Sequence, residues 1–237
     1  MKVVHWIVAL VGSVCIAVVL FATAFDWAVF SDLTYYDQEF EKYSVYSQVD
    51  MTKEDLSVVT NAILQYLKGE REDLNLTVNV DGQQKEFFND QEKEHMTDVK
   101  NIFSWVYRVR SIFVTATLAS WALFLLMKAP FLKIYPKAFQ IVGGITLVVS
   151  GIFAFVVSRN FTGAFTKFHE IFFSNDLWQM DPAKDIMIRL FPEPFFADMA
   201  WRMGKAFGAL LIIGIVVSLL MIVMRDVYES VEMENKK

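Results

Sequence analysis

Cysteine is almost missing from this chain: Cys15 is the only one in 237 residues, so an internal disulfide framework is excluded. Gly12-Ser13-Val14 precedes it without the Leu and small residue of a lipid-attachment motif, and Cys15 reads as a packing residue inside an apolar stretch. No basic tract is long enough to suggest nucleic acid as a partner. There is no Gly-x-Ser-x-Gly elbow and no Gly-rich phosphate loop. His169-Glu170 opens like HExxH, but Phe173 stands where the second histidine belongs, so the zincin ligand set is absent. The spacing of the other histidines and carboxylates is not diagnostic of a metal, and neither metal nor cofactor is expected.

Charge is also missing, and in a pattern. Val3–Phe25, Ser111–Met127, Ala138–Ser158 and Ala206–Met224 contain no Asp, Glu, Lys or Arg, and His5 is their only histidine. Each run is close to the ~20 residues a helix needs to cross ~30 Å of hydrocarbon. A freely soluble protein, a repeat array and a disordered chain are excluded, and ion-coupled transport, which needs charged groups near the midplane, is disfavoured. The first run has too long an apolar core, and too unclear a cleavage site, for a signal peptide, and it is expected to be retained. The expected fold is a mainly α polytopic membrane protein. Four transmembrane helices carry an extracytoplasmic cap containing a helix and a small β-hairpin.

Four spans put both termini on one side and both long connections on the other. The three lysines of Lys128–Lys137, with no acid among them, favour a cytoplasmic loop and cytoplasmic termini. The chain then divides into a first transmembrane helix (1–25), an extracytoplasmic loop (26–110), and helices two and three with their short Lys-rich connection (111–158). A second extracytoplasmic loop (159–205) and the fourth helix with its tail (206–237) follow.

The first outer segment carries a net charge of −8 and is long enough for a small folded cap. Thr52-Lys-Glu-Asp55 resembles a capping box, and Val58, Val59, Ile63, Tyr66 and Leu67 recur at helical spacing until Gly69. Leu74–Val80 alternates polar and apolar residues before Asp81-Gly82, a hairpin signal with a type I′ turn. Asn89-x-x-Glu92 then offers a helix start leading toward the second span, with His95 near its first turn. The second outer segment holds ten Phe or Trp among 47 residues and three of the five prolines. Phe161, Phe165, Phe168, Phe172 and Phe173 recur around His169, and Asp181-Pro182 reads as another N-cap followed by proline. Aromatics this dense, mixed with Lys and Arg, point to short helices in the interfacial layer or equally to an aromatic belt.

His95 and His169 fall on the same side of the membrane, each among carboxylates. Asp98, at i+3 from His95, can hold an imidazole in one tautomer and stabilise its charged form. Asn75-Leu-Thr and Asn160-Phe-Thr are glycosylation sequons only where the source modifies them.

Two blocks carry a resemblance. Phe88-Asn-Asp-Gln-Glu-Lys-Glu-His-Met-Thr-Asp-Val-Lys100 and Phe165-Thr-Lys-Phe-His-Glu-Ile-Phe-Phe-Ser-Asn-Asp-Leu-Trp-Gln-Met-Asp-Pro182, continued by Asp185–Asp198, resemble the signature blocks of the lipoprotein intramolecular transacylase (Lit) family. Its members are four-span proteins of bacterial, mainly Gram-positive, cell membranes. The resemblance implies an acyltransferase that moves the sn-2 acyl chain of a diacylglyceryl-modified lipoprotein to the α-amine of its N-terminal cysteine, leaving a lyso-form lipoprotein. It implies catalytic roles for His95 and His169, with Asp98, Trp178, Asp185 and Arg189 as candidate supporting or binding residues. The expected partners are the diacylglyceryl-lipoprotein and membrane lipids, with no nucleic acid and no expectation for the oligomer. Two other readings stay open: a non-catalytic membrane sensor or assembly factor, whose histidines titrate as a pH switch, and a lipid acyl hydrolase with water as acceptor.

Overall fold

A computed structural model describes residues 2–80 and 83–236. The chain is mainly helical. In order come α1 (Lys2–Phe30), α2 (Leu33–Lys42), α3 (Val45–Val49), α4 (Lys53–Lys68), strands β1 (Thr77–Val80) and β2 (Gln83–Glu86), α5 (Asp90–Leu126), α6 (Phe131–Arg159), α7 (Phe161–Phe172), α8 (Met187–Leu190) and α9 (Glu193–Glu234). Among the described residues, four helices, α1, α5, α6 and α9, are long and apolar enough to cross a membrane. All four extend past the apolar runs that mark them. His95 lies in the second turn of α5, and Phe195-Phe196 in the first turn of α9.

The residues fall into two compact units. The first comprises Met1–Asp26, Arg108–Val156 and Arg202–Lys237. Its helices touch through small residues on α1. Ala9 packs in a cluster with Phe124, Ile134, Tyr135 and Ala138, and Ala17 and Ala24 pack with Phe207 and Leu211. Ile145, Val148, Val149, Ile152 and Phe153 of α6 point outward instead, as lipid-facing positions do. The α5–α6 connection is cut by Pro130 and closed by Lys128 in the left-handed region (φ 49°), where the Ala129 N–H donates to the Phe124 carbonyl at 3.0 Å. Pro136 inside α6 has no N–H to offer the Leu132 carbonyl, and the Arg225 guanidinium donates to that oxygen instead at 3.3 Å.

Gly12 is the tightest approach in this unit. A Cβ built there would lie 1.9 Å from Tyr135 Oη and 2.4 Å from Ser120 Oγ. Tyr135 and Ser120 hydrogen-bond to one another at 2.8 Å, and stacking on Phe131 (4.7 Å between centroids) stops the tyrosine ring from yielding. Gly12→Ala is expected to destabilise the unit by about 1–3 kcal/mol. Thermal unfolding in detergent checks this, and Tyr135→Phe in the same chain should recover part of the loss. An unchanged midpoint for Gly12→Ala would contradict the packing described.

The second unit comprises Trp27–Tyr107 and Val157–Trp201. Thr52 caps α4 by accepting the Asp55 N–H at 3.1 Å, and Gly69 ends the helix with φ 82°. Val59, Ile63, Tyr66 and Leu67 are buried, as the periodicity predicts, whereas Val58, read with them, turns outward and is exposed, because it lies on the opposite side of the helix from Leu56 and Ile63. β1 and β2 pair antiparallel, with Thr77 opposite Glu86 and Val80 opposite Gln83. The Asp81-Gly82 turn read from the sequence lies outside the described residues. Helices α2 and α3 have no counterpart in the sequence reading. Asp32 caps α2 by accepting the Thr34 N–H, and Phe40 anchors it among the rings of Tyr46, Phe191 and Phe195. The helix expected from Asp181-Pro182 does not form. Asp181 accepts the Ala183 N–H at 2.9 Å in a local turn while its own N–H goes to Asp185, and the first helix after it is the four-residue α8.

Candidate active site

The site is assembled in the second unit from the start of α5 and the segment around α7 and α8. Asn89 and Glu92 form a reciprocal cap on α5: Asn89 Oδ1 accepts the Glu92 N–H at 2.9 Å, and Glu92 Oε2 accepts the Asn89 N–H at 2.8 Å. The same two residues reach across to the other segment. The second carboxylate oxygen of Glu92 accepts the Met187 N–H at 2.7 Å, and Asn89 Nδ2 donates to Asp185 Oδ1 at 2.7 Å. Gln91 Nε2 donates to the carbonyls of Leu177 (3.1 Å) and Gln179 (3.2 Å), and Asn175 Nδ2 donates to Asp98 Oδ2 at 2.9 Å. These contacts hold the exit of α7 against the first three turns of α5.

One turn past this clamp stands His95. Facing it, in the last turn of α7, is His169, with ring centroids 6.2 Å apart and planes 25° from parallel. Each residue is only 8% exposed. Aromatic rings supply the walls: Phe173 lies 5.0 Å from His95 and 5.4 Å from His169, while Phe165 (4.4 Å) and Trp178 (4.9 Å) flank His169. Among the described residues, no group of three or more His, Cys, Asp or Glu is placed to hold a metal ion.

This setting fixes the chemistry of the imidazoles. His169 Nδ1 lies 2.7 Å from the Phe165 carbonyl, which can only accept. The proton therefore sits on Nδ1, and Nε2 keeps a lone pair. Burial holds the pKa of His169 below its ordinary value, against the upward pull of that carbonyl. His95 is pushed down to about 4, first by burial and then by the nearness of His169, with Asp98 opposing. Its Nδ1 is buried without a protein partner. Both rings are neutral near pH 7. One offers a base, and the other a buried polar nitrogen without a protein partner.

The other sequence candidates divide. Asp98 and Trp178 are beside the histidines. Asp185 is buried in the clamp, with Oδ2 taken by the Asp181 N–H at 2.6 Å. Arg189 donates to the backbone carbonyls of Gln48 (3.2 Å) and Asp185 (3.4 Å). Sequence reasoning places Phe173 among the aromatics around His169 but assigns no site role to it or to Asn175, and does not reach the second bond of Glu92. The Asn89-x-x-Glu92 cap was a local sign of the last, but its reach to Met187 was not.

Four long apolar helices and a buried pair of facing, neutral imidazoles define a class: a multi-pass membrane protein with two histidines brought together from distant parts of the chain. The family follows from the comparisons, since the model of the family described as lipoprotein intramolecular transacylase Lit matches residues 10–196. The chain belongs to that family of acyltransferases. Its fold is similar to the structure of the membrane integral lipoprotein intramolecular transacylase Lit from Bacillus cereus, at 22% identity and TM-score 0.79, covering 96% of this chain and 100% of that one. Two further structures of the Bacillus cereus protein, with a histidine replaced by arginine or by alanine, match at 22% identity and TM-score 0.73. They cover 96% and 95% of this chain and 96% and 97% of theirs. No curated protein sequence matches the chain.

Proposed function

We propose that this chain moves the sn-2 acyl chain of a diacylglyceryl-modified lipoprotein to the α-amine of the same molecule's N-terminal cysteine. The observation that carries the reading is the buried histidine pair, 6.2 Å between centroids, with His169 Nε2 free to take a proton. Family membership supports the acyl-transfer class. The loops 26–110 and 159–205 form an extracytoplasmic cap with the hairpin, the termini are cytoplasmic, and the site meets lipid from the outer leaflet. The lysines between the second and third spans support this orientation.

Nucleophile and ester share one substrate, and direct attack closes an eight-membered ring, so the enzyme chiefly selects a folded conformer and excludes water. The amine nitrogen attacks the sn-2 carbonyl carbon, and His169 Nε2 takes the proton that nitrogen sheds. His95, neutral, donates its N–H to the oxyanion. Collapse breaks the ester C–O bond, and the proton on His169 passes to the departing glyceryl oxygen. Both imidazoles are restored. An amide replaces an ester, so the step runs downhill without an external energy source.

Mass spectrometry of N-terminal lipopeptides from cells with and without the gene tests the proposal. The expected product carries one acyl chain on nitrogen and one on the glyceryl group. A chain lost to water would assign hydrolysis, and unchanged lipopeptides would favour a non-catalytic sensor. Either result overturns the reading.

A further inference from the structure

A cavity of about 350 Å3 opens beside Phe173, the ring that touches both imidazoles, and is lined by Asp98, Asn101, Trp105, Phe172, Phe173 and Asn175. Asp98, Asn101 and Trp105 recur at i, i+3 and i+7 on one face of α5, and Phe172 to Asn175 is the stretch where the chain leaves α7. The Asp98 carboxylate takes one hydrogen bond, from Asn175 Nδ2 at 2.9 Å. Among the described residues no lysine or arginine pairs with it, and none lines the cavity. A carboxylate without a cation, set among three aromatic rings, is a site for an ammonium group: the charge supplies the counter-ion and the ring faces supply cation–π attraction. An anionic headgroup would be repelled there. An acyl chain would strip water from Asp98, Asn101 and Asn175 and give nothing back.

We propose that this cavity binds a primary ammonium carried by a lipid, and that its natural occupant is the free α-ammonium of the lipoprotein's N-terminal cysteine. This rests on the transacylase reading given above. Asp98 is then a substrate-binding residue, one turn of α5 from His95, and it makes the enzyme select lipoproteins whose cysteine is not yet N-acylated. Aminophospholipid headgroups carry the same chemistry, and the test separates them.

The probe is an ether-linked S-dialkylglyceryl cysteine peptide, which has no ester to transfer, titrated against the full-length protein in phosphatidylglycerol nanodiscs. The wild type should bind the free-amine peptide about tenfold more tightly than its N-acetyl form, a difference of ~1.4 kcal/mol. Asp98→Asn should abolish that preference and leave N-acetyl affinity unchanged, which also reports an intact fold. Trp105→Ala, at the exposed rim, should weaken free-amine binding alone, about threefold, as one lost ring face predicts. Equal wild-type binding of the two peptides, or full preference in Asp98→Asn, overturns the proposal. So does a preference that collapses when phosphatidylethanolamine is added, because the cavity would then hold a headgroup. Turnover of the ester-linked peptide on the same preparation tests the transacylase reading separately: turnover without amine preference removes only the cavity assignment.

Discussion

His169→Ala and His95→Ala are each expected to lower kcat/KM for a diacylglyceryl lipopeptide by about 10²–10⁴-fold, the range lost with a positioned acid–base group, while the protein stays folded. The two roles separate with glutamine. His95→Gln keeps an N–H donor for the oxyanion and should retain part of the rate, whereas His169→Gln has no nitrogen lone pair basic enough to accept a proton and should not. The pH profile carries a sign. His169 works as the neutral ring, so the rate falls as acid protonates it, and the substrate amine, with a free pKa of about 7.7–8.0, must also lose its proton. Activity therefore rises with pH from the acid side toward about 8. His95 contributes to stability instead. Its folded pKa of about 4 lies below the ordinary 6.5, so the unfolded chain binds the extra proton first. Stability is intact above about pH 6.5 and falls as pH drops toward 4, by about 3 kcal/mol from this group. Thermal unfolding across that window should slope for the wild type and flatten for His95→Ala. Full activity in either alanine variant removes the assignment of that histidine.

The parts of the fold that were readable are those where one physical signal dominates. Uncharged runs of about 20 residues leave little alternative to a span, and Thr52 and Gly69 bracket α4 because cap and stop chemistry is local. Helices α2 and α3 are short, and α2 is mostly polar; Tyr36 and Phe40 order it by packing on Phe191 and Phe195, far along the chain, which no local window contains. Asp181-Pro182 has the residues of a helix start, but the carboxylate of Asp185 takes the Asp181 N–H, and the chain turns instead. The site shows the same division. The two histidines stand out because the chain has only three, and the count of spans puts these two on one side of the membrane. Their closeness depends on Glu92, Asn89 and Gln91 binding residues about ninety positions away, and spacing does not encode such contacts. Asp185 is a candidate supporting residue in the sequence because it is an acid within a matching block. Its surroundings make it a fastening between two segments.

That fastening supports the second large prediction. Glu92 is 1% exposed, burial pushes its pKa up, and both its oxygens are committed to the Met187 and Asn89 N–H groups. Glu92→Ala leaves two inward-facing N–H donors without acceptors at about 1–3 kcal/mol each, and the expected loss is about 3–5 kcal/mol. Glu92→Gln keeps the shape but points an NH2 group at one of those donors, and should cost less. Both variants release the 174–187 segment that carries Asn175 and Trp178, so activity should fall together with the unfolding midpoint, and limited proteolysis should cut first in that segment. The histidine variants should lose activity at a nearly unchanged neutral-pH midpoint, so the two kinds of loss are distinguishable on one preparation. If Glu92→Ala kept the wild-type midpoint and cleavage pattern, the clamp would not be what holds His169 against His95, and the pairing would have to rest on the Phe165, Phe173 and Trp178 rings alone.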